Sequence, residues 1–130
     1  LGDKLDFVCR ILTISEDDYG CIIDFSSGQE DEQDELLLID SSGSNESYLT
    51  MERSYPEKPG EVDWYTIKHS KDTEAIFSQM DKMVIKISRD RFEMDWSNQS
   101  SLVGLDISEY KYKRLIKILK MRFSEMVIFL

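Results

Sequence analysis

Apolar residues recur two positions apart over most of the chain and three to four apart near its C-terminus, and that change of period separates strands from helix. Leu5, Phe7, Cys9 and Ile11 alternate with Asp6, Val8, Arg10 and Leu12, which predicts one long strand from Leu5 to Ile14. Asp17-Asp18-Tyr19-Gly20 predicts a turn with Gly20 free to take positive φ, and Cys21 to Phe25 a second strand, so the two form a hairpin. Ser26 to Glu35 is polar and acidic without periodicity and reads as a loop. Leu36 to Ile39 fits either a strand or a helical turn, and Ser41 to Asn45 is another loop. Ser47 to Arg53 reads as a strand, followed by the stiff connector Tyr55-Pro-Glu-Lys-Pro-Gly60. Val62 to His69 reads as the next strand, with Val62, Trp64 and Thr66 on one face and Asp63, Tyr65 and Ile67 on the other. Lys71 to Gln79 reads as a helical turn or loop.

The second half is plainer. Met83, Ile85 and Ile87 face inward, Arg89-Asp90-Arg91 turns the chain, and Phe92, Met94 and Trp96 alternate with Glu93 and Asp95. Trp64 and Trp96 both fall on apolar-patterned faces and are expected in the core. Leu102 to Ile107 adds a last strand. Tyr112, Leu115, Ile116, Leu119 and Phe123 then recur at helical spacing, with Lys111, Lys113, Arg114, Lys117, Lys120 and Arg122 on the remaining faces. This predicts a helix over about 108–125, capped by an Asp106/Glu109 box or by Ser108 as a rival N-cap. The fold class is α+β: a mainly antiparallel sheet of six to seven strands, with one long C-terminal helix packed on one face. At 130 residues the chain is read as a single domain spanning 1–130.

Charge changes the picture more than composition does. The chain carries a net charge of −10, and between Glu16 and Asp63 fifteen acidic residues face only Arg53 and Lys58. Such asymmetry steers a basic partner and repels nucleic acid and anionic membranes. The densest run, Glu30, Asp31, Glu32, Asp34 and Glu35, is a candidate docking surface, with a merely solvated loop as the plain alternative. Its spacing lacks the alternate ligands and central glycine of a calcium loop. Asp17, Asp18, Tyr19 and Tyr55 join the candidate partner-binding set, because tyrosines beside acid supply a flat apolar body with a polar tip. Tyr48 and Tyr65 share that setting.

Candidate chemistry is thin. His69 is the one histidine and is expected to be an ordinary surface or edge residue. The pattern contains no phosphate-binding glycine loop, no nucleophile elbow and no zinc ligand set. The expectation is therefore no catalytic residue, no cofactor and no metal. Cys9 and Cys21 are expected to be reduced, buried thiols in a cytoplasmic protein. No stretch is apolar and long enough to span a bilayer, and no secretory leader pattern is visible.

Several segments resemble the bacterial immunity protein 10 family of polymorphic toxin systems. They are Tyr48-Leu-Thr-Met-Glu-Arg-Ser54, Asp63-Trp-Tyr-Thr-Ile-Lys-His69, the hairpin Met83 to Met94 turning at Ser88-Arg-Asp-Arg91, and Leu105 to Phe123. The likeness covers roughly residues 47–125, with Thr73 to Asp81 standing where that family carries a Gly-Gly element. It implies a non-catalytic immunity protein that binds and neutralises a cognate, basic toxin domain such as a nuclease. A monomer or weak homodimer is expected, a dimer forming through an unpaired sheet edge. The alternatives are a general protein-interaction or scaffold domain and, behind it, a carboxylate-dependent hydrolase.

Overall fold

The structure is a computed structural model that describes residues 4–28, 46–61, 63–70, 72–78, 83–96 and 99–130, with backbone alone at 4 and 72–78. It is α+β, but the strands form two sheets rather than one. The first sheet contains β1 (Lys4–Cys9), β7 (Met83–Ser88), β8 (Arg91–Trp96), β9 (Gln99–Leu105) and β10 (Val127–Phe129), in the order β1-β9-β8-β7-β10. The second is a meander of β2 (Ile11–Asp17), β3 (Gly20–Ser26), β4 (Tyr48–Ser54), β5 (Trp64–His69) and β6 (Asp72–Ser78) in chain order. The meander is antiparallel throughout, whereas β1 runs parallel to β9 and β10 parallel to β7, which makes the first sheet mixed.

Division into two sheets follows from a break in alternation that a single-strand reading passes over. Leu5, Phe7 and Cys9 are buried, Arg10 is exposed, and the next buried residue is Leu12 rather than Ile11. Three positions instead of two separate the last core residue of one strand from the first of the next. A chain that skips one step at Arg10 points its next side chains back into the core only by turning a corner. The backbone bonds fit this, since the Arg10 amide donates to the Ser26 carbonyl at 2.8 Å while the Cys9 carbonyl accepts from Asp106 at 2.9 Å.

The inner faces meet through Phe25 of β3 and Phe92 of β8, whose ring centroids are 4.5 Å apart. Met83, Ile85 and Ile87 are buried, as are Phe92, Met94 and Trp96, so the second hairpin matches its sequence reading. The helix α1 (Glu109–Arg122) adds Leu115, Ile118 and Leu119 to the same core. Ser108 is its N-cap, with Oγ accepting from the Lys111 amide at 3.1 Å, so the rival cap prevails over the Asp106/Glu109 box. The helix reaches both sheets. Lys111 Nζ donates to the Leu12 carbonyl of β2 at 2.8 Å, and Arg89 in the β7–β8 turn donates to the Ile107 carbonyl just before the helix. After α1, a 3-10 turn at Ser124–Met126 leads into β10.

Three local expectations are corrected. Asp72–Ser78, expected as a helical turn or loop, is an outer strand pairing with β5. The helix ends at Arg122, with the tail returning as a strand. Gly20 is needed for close approach rather than for positive φ: a Cβ there would lie 2.3 Å from the Arg53 carbonyl oxygen of β4. Among the described residues the glycine with positive φ is Gly60, at 92°, closing the proline connector. Leu36 to Ile39 and the loop at 41–45 lie outside the described residues.

Candidate interaction surface

Alternation along the meander sorts its residues into an inward and an outward face. Cross-strand partners share a face, so register defines rows. Leu12, Phe25, Leu49 and His69 form one inward row, and Ile14, Ile23, Met51 and Ile67 another. The outward rows are Asp17, Gly20, Ser54 and Trp64; Ser15, Ile22, Glu52 and Thr66; and Thr13, Asp24, Thr50 and Lys68. Trp64 therefore faces out, at 49% exposure, contrary to the expectation that both tryptophans are core. Tyr65 and Ile67 take the inner positions instead. Both faces of β5 carry apolar residues, so alternation alone could not choose between them.

His69 follows the same inward face and is buried, not a surface residue. Its Nε2 lies 3.2 Å from Gln99 Oε1, and its ring meets Trp96 edge-on at 5.7 Å. Cys9 and Cys21 are buried free thiols. Burial pushes the Cys9 thiol up to about 11 and raises that of Cys21.

Four of the candidate contact residues come together at one end of this sheet. Asp17, Asp18 and Tyr19 form the β2–β3 turn, and the Tyr55 amide donates to the Tyr19 carbonyl at 2.9 Å, so a residue thirty-odd positions later abuts the turn. Asp17 Oδ1 accepts from the amides of Tyr19 at 2.8 Å and Gly20 at 3.1 Å, which fixes the turn. The Tyr19 side chain is left 74% exposed. Glu30, Asp31, Glu32, Asp34 and Glu35 lie outside the described residues.

Beneath the turn is a network that the sequence reading did not find. Glu16 Oε2 accepts from the Tyr55 hydroxyl at 2.8 Å and from Arg122 Nε at 2.6 Å. Arg53 forms an ion pair with Asp63, and its second arm donates to the Arg122 carbonyl at 2.5 Å, closing the end of α1. The Tyr55 ring lies near both guanidiniums, 4.9 Å from Arg122 and 5.4 Å from Arg53. The Tyr55 hydroxyl and Arg122 together hold the Glu16 carboxyl below the usual carboxylate range. Burial, with Glu16 as hydrogen-bond partner, pushes the Tyr55 phenol up. Tyr55 thus braces the turn, while Tyr19 is the tyrosine presented to solvent. Sequence could have suggested Arg122 only as a cation suited to a helix C-terminus.

The outward face and its braced turn combine exposed Trp64, Tyr48, Tyr19 and Ile22 with the carboxylates Asp17, Asp18, Asp24 and Glu52. Aromatic area bordered by charge is chemistry suited to contact with another protein. Among the described residues no group of three or more His, Cys, Asp or Glu side chains is placed to hold a metal ion, and no helix is long and apolar enough to cross a membrane.

Among the described residues the protein is thus α+β, with two sheets, one α-helix and an acidic, aromatic-bearing outer face. No protein-family model, no curated protein and no solved structure matches the chain.

Proposed function

We propose that this protein is a non-catalytic inhibitor of the immunity type, binding and neutralising a basic toxin domain through the outer face of the second sheet and its β2–β3 turn. The observation that carries this reading is the turn itself. Asp17, Asp18 and Tyr19 project from a support tied down by Glu16, Tyr55 and Arg122, so binding orders little that is not already ordered. The chain's net charge of −10, concentrated between Glu16 and Asp63, supplies long-range attraction for a basic partner. The toxin part of the reading rests on the resemblance of residues 47–125 to immunity proteins. On this reading the protein works in the cytoplasm as a monomer or weak homodimer, where an incoming toxin domain would act, and its charge keeps it off nucleic acid and anionic membranes.

The test is co-expression with the product of the neighbouring gene. Growth rescue and a co-purifying complex are expected, and a neighbouring product that is neither toxic nor bound removes the toxin reading. Asp18→Lys should slow association by roughly threefold to tenfold at low ionic strength and flatten its salt dependence. An unchanged on-rate and salt slope would show that the partner docks elsewhere.

A further inference from the structure

The outward row Asp17, Gly20, Ser54 and Trp64 has a gap at its centre, because Gly20 has no side chain and Ser54 a short one. The gap opens into a notch of about 210 Å³ bordered by Asp17, Tyr19, Gly20, Ile22, Glu52 and Ser54. A Cβ at position 20 would run into the backbone of β4, so any residue larger than glycine forces β4 to shift. Close strand pairing therefore keeps the notch open.

Its chemistry is one-sided. Glu16, Asp17 and Glu52 line it, and among the described residues no lysine, arginine or histidine does. Glu16 is already committed to Arg122, but neither Asp17 nor Glu52 takes part in an ion pair among the described residues. Ile22 and Tyr19 add apolar wall, exposed by 38% and 74%. Trp64 is the next residue of the row, half exposed at 49%. Apolar walls with carboxylates suit a side chain that has an aliphatic stem and a cationic head. A tryptophan face nearby suits a guanidinium best.

We propose that this notch receives an arginine or lysine side chain of a protein partner, its head between Asp17 and Glu52 and its stem against Tyr19 and Ile22. The inference rests on the proposed function, names the chemistry of the residue at the centre of that interface, and makes Glu52 its specificity-determining contact, with Trp64 the aromatic neighbour of Ser54 in the same row. Such pockets, filled by one anchor and shielded by neighbours, concentrate binding energy.

The test titrates the isotope-labelled full chain with the amide-capped tripeptide Gly-Arg-Gly and follows amide and indole NMR signals. Saturable shifts confined to Gly20, Ile22, Ser54 and the Trp64 indole are expected, with a dissociation constant on the order of 1–10 mM, the level one charge-assisted side-chain contact supports. Glu52→Gln should weaken binding roughly twofold to fivefold, as should Trp64→Ala. Both substitutions lie on the outer face, and an otherwise unchanged spectrum verifies the fold. No saturable shift at these positions, or equal shifts from a tripeptide with norleucine in place of arginine, overturns the proposal. A toxin neutralised with undiminished affinity by both variants also overturns it while leaving the proposed function standing. Arginine binding at the notch by a protein that neutralises no toxin supports the site and removes the toxin reading alone.

Discussion

At the scale of single residues, Glu16 shows how a carboxylate inside an acidic stretch becomes structural. Its charge is met by Arg122 and the Tyr55 hydroxyl, and two guanidiniums border the Tyr55 ring. The Glu16–Arg122 pair is about one-third exposed on each side, so solvent screening limits its worth to about 1 kcal/mol. Glu16 titrates below its ordinary value of 4.5 in the folded protein. A depressed carboxyl stabilises the fold above its unfolded pKa and loses that contribution as pH falls through its folded value. Urea unfolding of Glu16→Gln should therefore show a loss of about 1 kcal/mol at pH 7 that shrinks steadily as pH drops below about 4.5. A deficit that stays constant down to pH 3 would show that the side chain contributes by packing rather than by charge.

At the scale of elements, Gly20 links strand pairing to surface shape. β3 lies between β2 and β4, with Gly20 opposite Asp17 on one side and Ser54 on the other. Gly20→Ala sets a methyl group against the Arg53 carbonyl, and backbone cannot yield as a flexible side chain would. The expected cost is about 1–3 kcal/mol in chemical denaturation, with the backbone amides of Gly20 and Ser54 losing hydrogen-exchange protection before the rest of β3. Full retention of stability would mean that β4 shifts freely at this point. How far such features can be read in advance differs between elements. The β7–β8 hairpin is plain in the sequence because its outward residues are mostly polar and its inward ones apolar throughout. In β5, Trp64 competes with Tyr65 for the core, and in β6 only Ala75, Ile76 and Phe77 are apolar, so neither pattern is decisive. The three-residue β10 is shorter than any alternation that could announce it.

At the scale of the whole molecule, one core is shared by both sheets and the helix, and the thiols report on its opening. Cys9 lies at the corner between the sheets and Cys21 under the Tyr19 turn, both essentially without solvent exposure. A thiol titrating near 11 holds about a hundredfold less thiolate at pH 8 than an ordinary one. Reaction of the native protein with a thiol-specific reagent at pH 8 should therefore be roughly a hundredfold or more slower than in concentrated urea, with Cys9 the slower of the two. Fast labelling of Cys9 in the native protein would show that the corner at Arg10 opens without unfolding the rest. Charge is also partitioned at this scale: cations crowd α1, with Arg114, Lys117 and Lys120 along it, while the meander's outer face carries Asp17, Asp24 and Glu52 against Lys68. This gives the molecule an electrostatic direction that neither element has alone.

Local pattern by itself determined most strand positions, the inward sets Met83–Ile85–Ile87 and Phe92–Met94–Trp96, the helix with Ser108 among its candidate caps, and the acidic bias of the middle of the chain, because each depends on neighbours a few residues apart. Tertiary structure alone decided that the strands divide into two sheets at Arg10, that Trp64 faces out and His69 in, and that Glu16 meets Arg122 across 106 positions of chain. Those outcomes depend on which distant segments pair and on which face each sheet can bury, and an alternation of apolar residues fixes the period of a strand without naming its partner.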